Sequence, residues 1–347
     1  MGKITIKKGN KDLPLQAWPS ISYKSHKAKK TFNASVLADN IESFAYTDMA
    51  SGESDSVDIT LCNADKIWMG KRLPLKGDTL SATIKAQNWA TAGKTYIIDC
   101  GTFCCDNRSF DFPEAGTATI SGVSVPEGSA FRATQYNKTW SNITIREIAR
   151  QIAKKHKMKL SYSGPTVKIS KAEQNDADDC SFLNSICDDY GFALKVYRGK
   201  IVIYDIALFE KKPAIATINY ADVIDGSYNS TLVGTYTGAK IKYKVGENDE
   251  RTLTIGSAKR MLNISEVTDT RSEADRKARS KLKEENRKAE TLKITVSSAG
   301  KKLWAASVIV LKGASVMSGR WFIDKATHTI SASDGYSVSL EMHRAKK

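Results

Sequence analysis

The residues in this chain whose types could do chemistry are four histidines, clustered aspartates, six cysteines and one strand of alternating lysines. His26, His156, His328 and His343 stand in unrelated contexts. None has a Gly-x-Ser-x-Gly elbow, a HExxH pair or a P-loop beside it, so nucleophilic, metallohydrolase and phosphate chemistry all lack their residues. His156 follows Lys154-Lys155 where a helical pattern ends, and a cation there complements the helix dipole. Asp188-Asp189 and the Asp176, Asp178, Asp179 cluster could supply a glycosidase with its carboxylate pair. Both groups fall at helix ends, where capping and solvation account for them. Cys100, Cys104 and Cys105 in CGTFCC invite a metal, but adjacent strand cysteines point to opposite faces and no CxxC partner exists. Together with Cys62, Cys180 and Cys187 they read as buried thiols of a reduced protein. The sequence predicts no catalytic, metal-binding or cofactor-binding residue and no cofactor.

Charge is the loudest feature of the composition, at +15 over 347 residues. Nucleic-acid binding, attraction to an anionic surface and a charged assembly face would each produce it. Lysine is spread along the chain without a zinc finger or an aromatic-plus-basic platform, which argues against dedicated nucleic-acid recognition. Lys24, Lys27, Lys29 and Lys30 read as a loose basic arm or a lysine-blunted edge strand. Lys240, Lys242 and Lys244 alternate with Ile241, Tyr243 and Val245, which puts three ammonium groups on one strand face at roughly 7 Å intervals. That face must be wet. It is either the wall of an aqueous channel or an outward solvated surface.

The elements that must position these residues follow from periodicity. From Ser35 to Val125 apolar and polar residues alternate in short runs bounded by Gly, Asp, Asn or Pro, as in Val57, Ile59 and Leu61 against Asp58, Thr60 and Cys62. Leu80–Lys85, Thr95–Phe103 and Ala118–Val125 continue the series. At Ser141 the period becomes helical: Thr144 and Glu147 have capping-box spacing, and Ile145, Ile148, Ala149, Ile152 and Ala153 form an apolar stripe. A second helix begins behind Asp176–Asp179, carries Phe182, Leu183, Ile186, Cys187 and Tyr190, and stops at Gly191. Phe192–Tyr197 and Ile201–Tyr204 then form a hairpin around Arg198-Gly199-Lys200. After Asp205 strands are expected to resume. A third helix, about Ser272 to Ala289, has only the thin seam Ala274, Ala278, Leu282 among its charges, so it lies on something larger or awaits a partner.

One strand-rich unit recurs. Gly93-Lys94-Thr95-Tyr96-Ile97-Ile98-Asp99 is echoed by Gly319-Arg320-Trp321-Phe322-Ile323-Asp324, with Thr102 matching Thr327, and Leu75-Lys76-Gly77 pairs with Leu311-Lys312-Gly313 upstream. The predicted fold is mainly β with an α+β insert: two related β-barrels, residues 1–135 and 207–347, flank a helix-hairpin module, 136–206, and a helix is inserted at about 270–290.

The stretch from Gln174 to Asp205, with acidic residues, Phe-Leu, a short helix, Tyr-Gly-Phe and a Gly-turn hairpin, resembles the central module of phage late control protein D. That family supplies the baseplate hub of contractile phage tails and tail-like particles and is similar to the hub part of type VI secretion spike proteins. The Thr144-led helix and the C-terminal charged helix, Gly-aromatic-Ile strand and Asp-Gly-Tyr strand extend the resemblance over most of residues 57–345. The resemblance implies a non-enzymatic homotrimer whose duplicated barrels adapt a sixfold tube to a threefold spike. Its implied partners are a separate spike protein, a tail tube or tube-initiator protein, baseplate wedge proteins, and tape-measure protein or DNA in the lumen. The alternatives are a tail tube or tube-initiator subunit, with one barrel per chain, and a baseplate-associated peptidoglycan hydrolase. No stretch approaches the roughly 20 apolar residues of a membrane span, and the N-terminus lacks a signal-peptide core, so synthesis in a bacterial cytosol and residence in a virion tail or tail-like particle are expected.

Overall fold

The structure, a computed structural model, describes residues 3–25, 31–32, 40–69, 75–112, 116–125, 129–246, 249–297 and 301–345. His26, Lys27, Lys29 and Lys30 lie outside them, and Lys24 is an exposed strand end. The first segment contributes β1 (Lys3–Lys8), β2 (Gln16–Lys24), β3 (Thr31–Phe32), β4 (Ile41–Met49), β5 (Ser56–Cys62), β6 (Thr79–Gln87), β7 (Lys94–Asp111) and β8 (Thr117–Val123). Strict alternation builds them: Val57, Ile59 and Leu61 are buried while Asp58, Thr60 and Cys62 face outward.

A central segment follows with a short helix α1 (Ala130–Ala133), β9 (Gln135–Thr144), α2 (Ile145–Lys155), β10 (Lys159–Ser163), β11 (Lys168–Asp178), α3 (Asp179–Asp189), β12 (Phe192–Tyr197), β13 (Lys200–Asp205) and α4 (Ile206–Glu210). The caps are as the sequence indicates: the Thr144 side chain accepts from the Glu147 amide, and Asp178 accepts from Cys180 and Ser181. Residue 141 is still strand, so the helix begins four residues later than the change of period. Gly191 has φ +76°, and Arg198 and Gly199 are both left-handed, which gives the tight turn of the β12–β13 hairpin. Both helices and this hairpin enclose their own apolar core around Ile148, Leu183 and Ile203. The β9–β11 ribbon escaped periodicity because buried positions are sparse on both strands, one on β9 and two on β11. Strands do not resume directly after Asp205 either. Its carboxylate accepts from the Leu208 amide and starts α4, whose Phe209 ring lies 4.2 Å from that of Tyr204.

The last segment comprises β14 (Ala216–Asn219), β15 (Val223–Ser230), β16 (Gly238–Lys244), β17 (Glu250–Gly256), β18 (Met261–Thr268), α5 (Arg271–Arg287), β19 (Glu290–Val296), β20 (Val308–Lys312), β21 (Gly319–Ser331) and β22 (Gly335–Arg344). β6–β7–β8 is an antiparallel meander around the longest strand of the first segment, and β20–β21–β22 is another around the longest strand of the last. One sheet runs in the order β15-β19-β22-β21-β4-β5-β8-β7-β6-β2-β3, with β21 paired to β4 from Lys325–Met49 to Ser331–Ser43. The sheet curls until β2 lies near β21 and β22, so residues from both ends of the chain, such as Ile21, Phe44, Trp321 and Leu340, share one core. The chain is mainly β with an α+β insert.

Candidate functional site

β16 is the middle strand of a separate three-stranded sheet, β17-β16-β18, with α5 packed on one face. Ala239, Ile241, Ala274 and Ala278 are buried between sheet and helix, and Leu282 packs there half-buried. Arg279 and Lys283 are exposed. Lys240, Lys242 and Lys244 stand on the opposite face, opposite Thr254, Thr252 and Glu250 of β17. Lys242 reaches Glu250 at 3.1 Å and Lys244 reaches Asp269 at 3.2 Å. Val245 departs from the expected alternation. β16 ends at Lys244; beyond it the Val245 amide donates a hydrogen bond to the Asp249 carbonyl, and its side chain is exposed.

The sequence reading missed a set of buried charges at the seams between parts. Lys195 of β12 inserts between Asp48 and Asp55, bonded to Asp48, 2.9 Å from Asp55 and 2.9 Å from the Met49 carbonyl. All three charged residues are buried. Burial pulls the lysine down, but the two carboxylates outweigh it and hold its pKa up. Two negative charges face one positive in this pocket. Burial, with Asp48 adding to it, accordingly pushes the Asp55 carboxyl up to about 6 against the pull of Lys195. The signal was a lysine inside an apolar run, FALKVY, whose strand is buried on both faces.

A second seam joins α5 to the central segment. Glu273, five per cent exposed, accepts from the Ser170 amide at 2.6 Å, from Ser170 Oγ at 3.1 Å and from Thr270 Oγ1 at 2.9 Å. A capping-box residue thus also closes the edge of β11. Arg276 bonds the Tyr190 carbonyl and the Asp205 carboxylate, at 2.8 and 2.6 Å. Glu273→Ala is expected to leave the Ser170 amide unsatisfied and cost about 1–3 kcal/mol. Hydrogen exchange should localise the loss: amides of β11 and α5 lose protection while those of β5 and β8 keep theirs. Uniform loss across all four elements would remove Glu273 as a local clasp.

The remaining histidines and carboxylates hold structure together. His343 offers Nδ1 to Asp324 at 2.8 Å and Nε2 to Glu210 at 3.0 Å; burial lowers its pKa, but these two acceptors prevail and hold it up. His328 sits between the Tyr336 hydroxyl and the Leu303 carbonyl, and burial drives it down to about 4, so it is neutral. His156 bonds Asp179 at 2.7 Å, where Lys155 and Gln174 also converge. The ring partners are carboxylates for His343 and His156, and the Tyr336 hydroxyl and a main-chain carbonyl for His328. Asp189 pairs with Lys277 and Lys281, and burial with nearby Glu284 raises Asp188 to about 6. The cysteines are not uniformly buried: Cys62 is exposed and Cys104 half-buried, because strand alternation turns them outward while Cys100 and Cys105 face the core. No cluster of three or more His, Cys, Asp or Glu that could hold a metal occurs among the described residues.

This arrangement of a long curled sheet, a helix-hairpin insert and a helix-backed flap is the fold of phage tail proteins. The tail protein from Neisseria meningitidis MC58 superposes with a TM-score of 0.70 at 13% identity, over 94% of this chain and 97% of that one. The 43 kDa tail protein of prophage MuSo2 from Shewanella oneidensis gives 0.70 at 14%, over 94% and 98%. An Escherichia coli component of the type VI secretion system, described as similar to the T4 tail proteins gp27 and gp5, gives 0.57 at 12%, over 99% and 77%. In sequence the chain is homologous to the probable baseplate hub protein of Escherichia phage 186, 23% identical over 368 residues and 89% of each chain. No family profile matches it.

Proposed function

We propose that this protein is the structural baseplate hub of a contractile phage tail or tail-like injection particle. The observation that carries this is the homology to a probable hub protein over nearly the whole length, together with a shared tail-protein fold over 94% of the chain. Three copies form the hub. Residues 1–135 and 207–347 act as two related β-units flanking 136–206, so a trimer presents six similar units to a sixfold tube and three to a threefold spike. The two meanders around β7 and β21 support the duplication. The spike, the tube or its initiator, and the wedge proteins are its neighbours, and it works in the assembled particle without catalysis. No helix among the described residues is long and apolar enough to cross a membrane.

In this reading Lys240, Lys242 and Lys244 face the channel, where a cationic wall attracts tape-measure protein or DNA without sequence preference. Ala274, Ala278 and Leu282 seat the helix that braces that sheet. Light scattering of the purified chain is expected to give three times 38.1 kDa. A monomer would sink the hub assignment, and a hexamer would favour a tube subunit. Replacing the three lysines by Glu is expected to keep that mass and impair cargo retention or ejection. Unaltered ejection would remove them from the channel.

A further inference from the structure

α5 carries Arg276, Arg279, Lys283 and Arg287 at i, i+3, i+7 and i+11, one stripe along a single side of the helix. The stripe borders two adjoining clefts between α5 and α4, of about 80 and 300 Å³, which share Ala207, Lys283 and Arg287. Most of its charge is matched within the chain. Arg276 has Asp205, Arg287 has Glu210 at 2.5 Å, and Arg279 has Asp275 at 2.9 Å. Lys283 in the middle has no ion-pair partner among the described residues, and neither has Lys211, which lines the larger cleft with it. Leu282 and Ala207 give that cleft an apolar part, and Leu208 of α4 is 49% exposed.

We propose that this cleft docks an acidic, partly apolar peptide segment of a partner protein, with carboxylates on Lys211 and Lys283 and an apolar side chain against Leu282 and Ala207. Unmatched ammonium groups beside apolar surface favour a carboxylate that brings its own hydrocarbon, and the larger cleft has room for a few side chains. A nucleic acid fits worse. Its backbone needs an uninterrupted cationic track and stacking rings, whereas Glu210 stands in the wall of this cleft and no aromatic residue lines it. Docking here is independent of whether the chain forms the hub.

The test is fluorescence anisotropy of a short fluorescein-labelled peptide of Glu-Glu-Leu repeats with the full chain at low salt. Wild type is expected to bind, and Lys211→Glu with Lys283→Glu to weaken binding about tenfold or more. Lys7→Glu with Lys8→Glu, the same charge change on the exposed β1 of the main sheet, is expected to alter it by less than about twofold. If the groove pair fails to fold by circular dichroism, Lys211→Met with Lys283→Met replaces it, with the same expected loss. Absence of peptide binding to wild type, equal loss in both pairs, or tighter groove-dependent binding of a labelled single-stranded oligonucleotide would each overturn the proposal.

Discussion

Replacing Lys195 by Met is expected to cost about 3–5 kcal/mol of folding stability, seen as a lower urea midpoint at unchanged slope. The methionine fills much of the same volume, so the loss is electrostatic. Lys195 is the countercharge of both Asp48 and Asp55, and all three are closed off from water where the central segment meets the main sheet. Without it two carboxylates remain buried without a cation, each still held by main-chain donors: Asp48 by the Ala305 amide and Asp55 by that of Met49. Neither can swing out to solvent without breaking those bonds. The Ser51 hydroxyl, which bonds both the amide and carbonyl of Leu194, lies on the same seam, so docking of the β12–β13 hairpin should loosen as well. A loss below about 1 kcal/mol would mean that water reaches the pocket.

Asp55→Asn should act in the opposite direction at neutral pH. The Asp55 carboxyl is raised to about 6 in the folded protein, above the roughly 4 of an unfolded aspartate. A group raised in this way favours folding in its protonated form. Its contribution is therefore complete below about pH 4 and is lost as pH rises to about 6, a fall of roughly 3 kcal/mol. Oδ2 of Asp55 has no hydrogen-bond partner, while Oδ1 takes the bonds from Met49 and Lys195, so an amide keeps the useful acceptor. The difference in unfolding free energy between variant and wild type, measured from pH 4 to pH 7, should climb in favour of the variant. Subtracting the two curves cancels groups common to both, including Asp179 and Glu210, whose hydrogen bonds overcome burial and hold them low. A flat difference would show that Asp55 is ionised throughout. Asp55→Asn combined with Lys195→Met should lose less than the two separate effects predict, since the groups share one pocket.

Local rules, in which each residue answers to its near neighbours, were enough for much of this protein. Strand alternation marked β5 to β8, because a strand with one wet face must repeat every two residues whatever it later pairs with. Thr144 and Glu147, Asp178, and Gly191 marked the ends of α2 and α3, since orphan helix amides and a left-handed turn call for particular side chains. In α5, Ala274 and Ala278 are the small residues that let the helix lie close on β16. The polar β9–β11 ribbon and Val245 were not legible, because neither a strand with few buried positions nor the end of one leaves a period to read.

What the fold alone supplied was partnership across distance. Asp48 and Lys195, Glu273 and Ser170, and Glu210 and His343 are 147, 103 and 133 residues apart, and nothing in the local sequence of either member names the other. Folding puts them where water is excluded, and there a charge must be matched or protonated. The same holds for the seam between β4 and β21, which joins two segments that periodicity could describe only one at a time. Periodicity records which face of an element is dry. Which other element makes it dry, and which buried charge must then find its opposite, is set when the chain closes on itself.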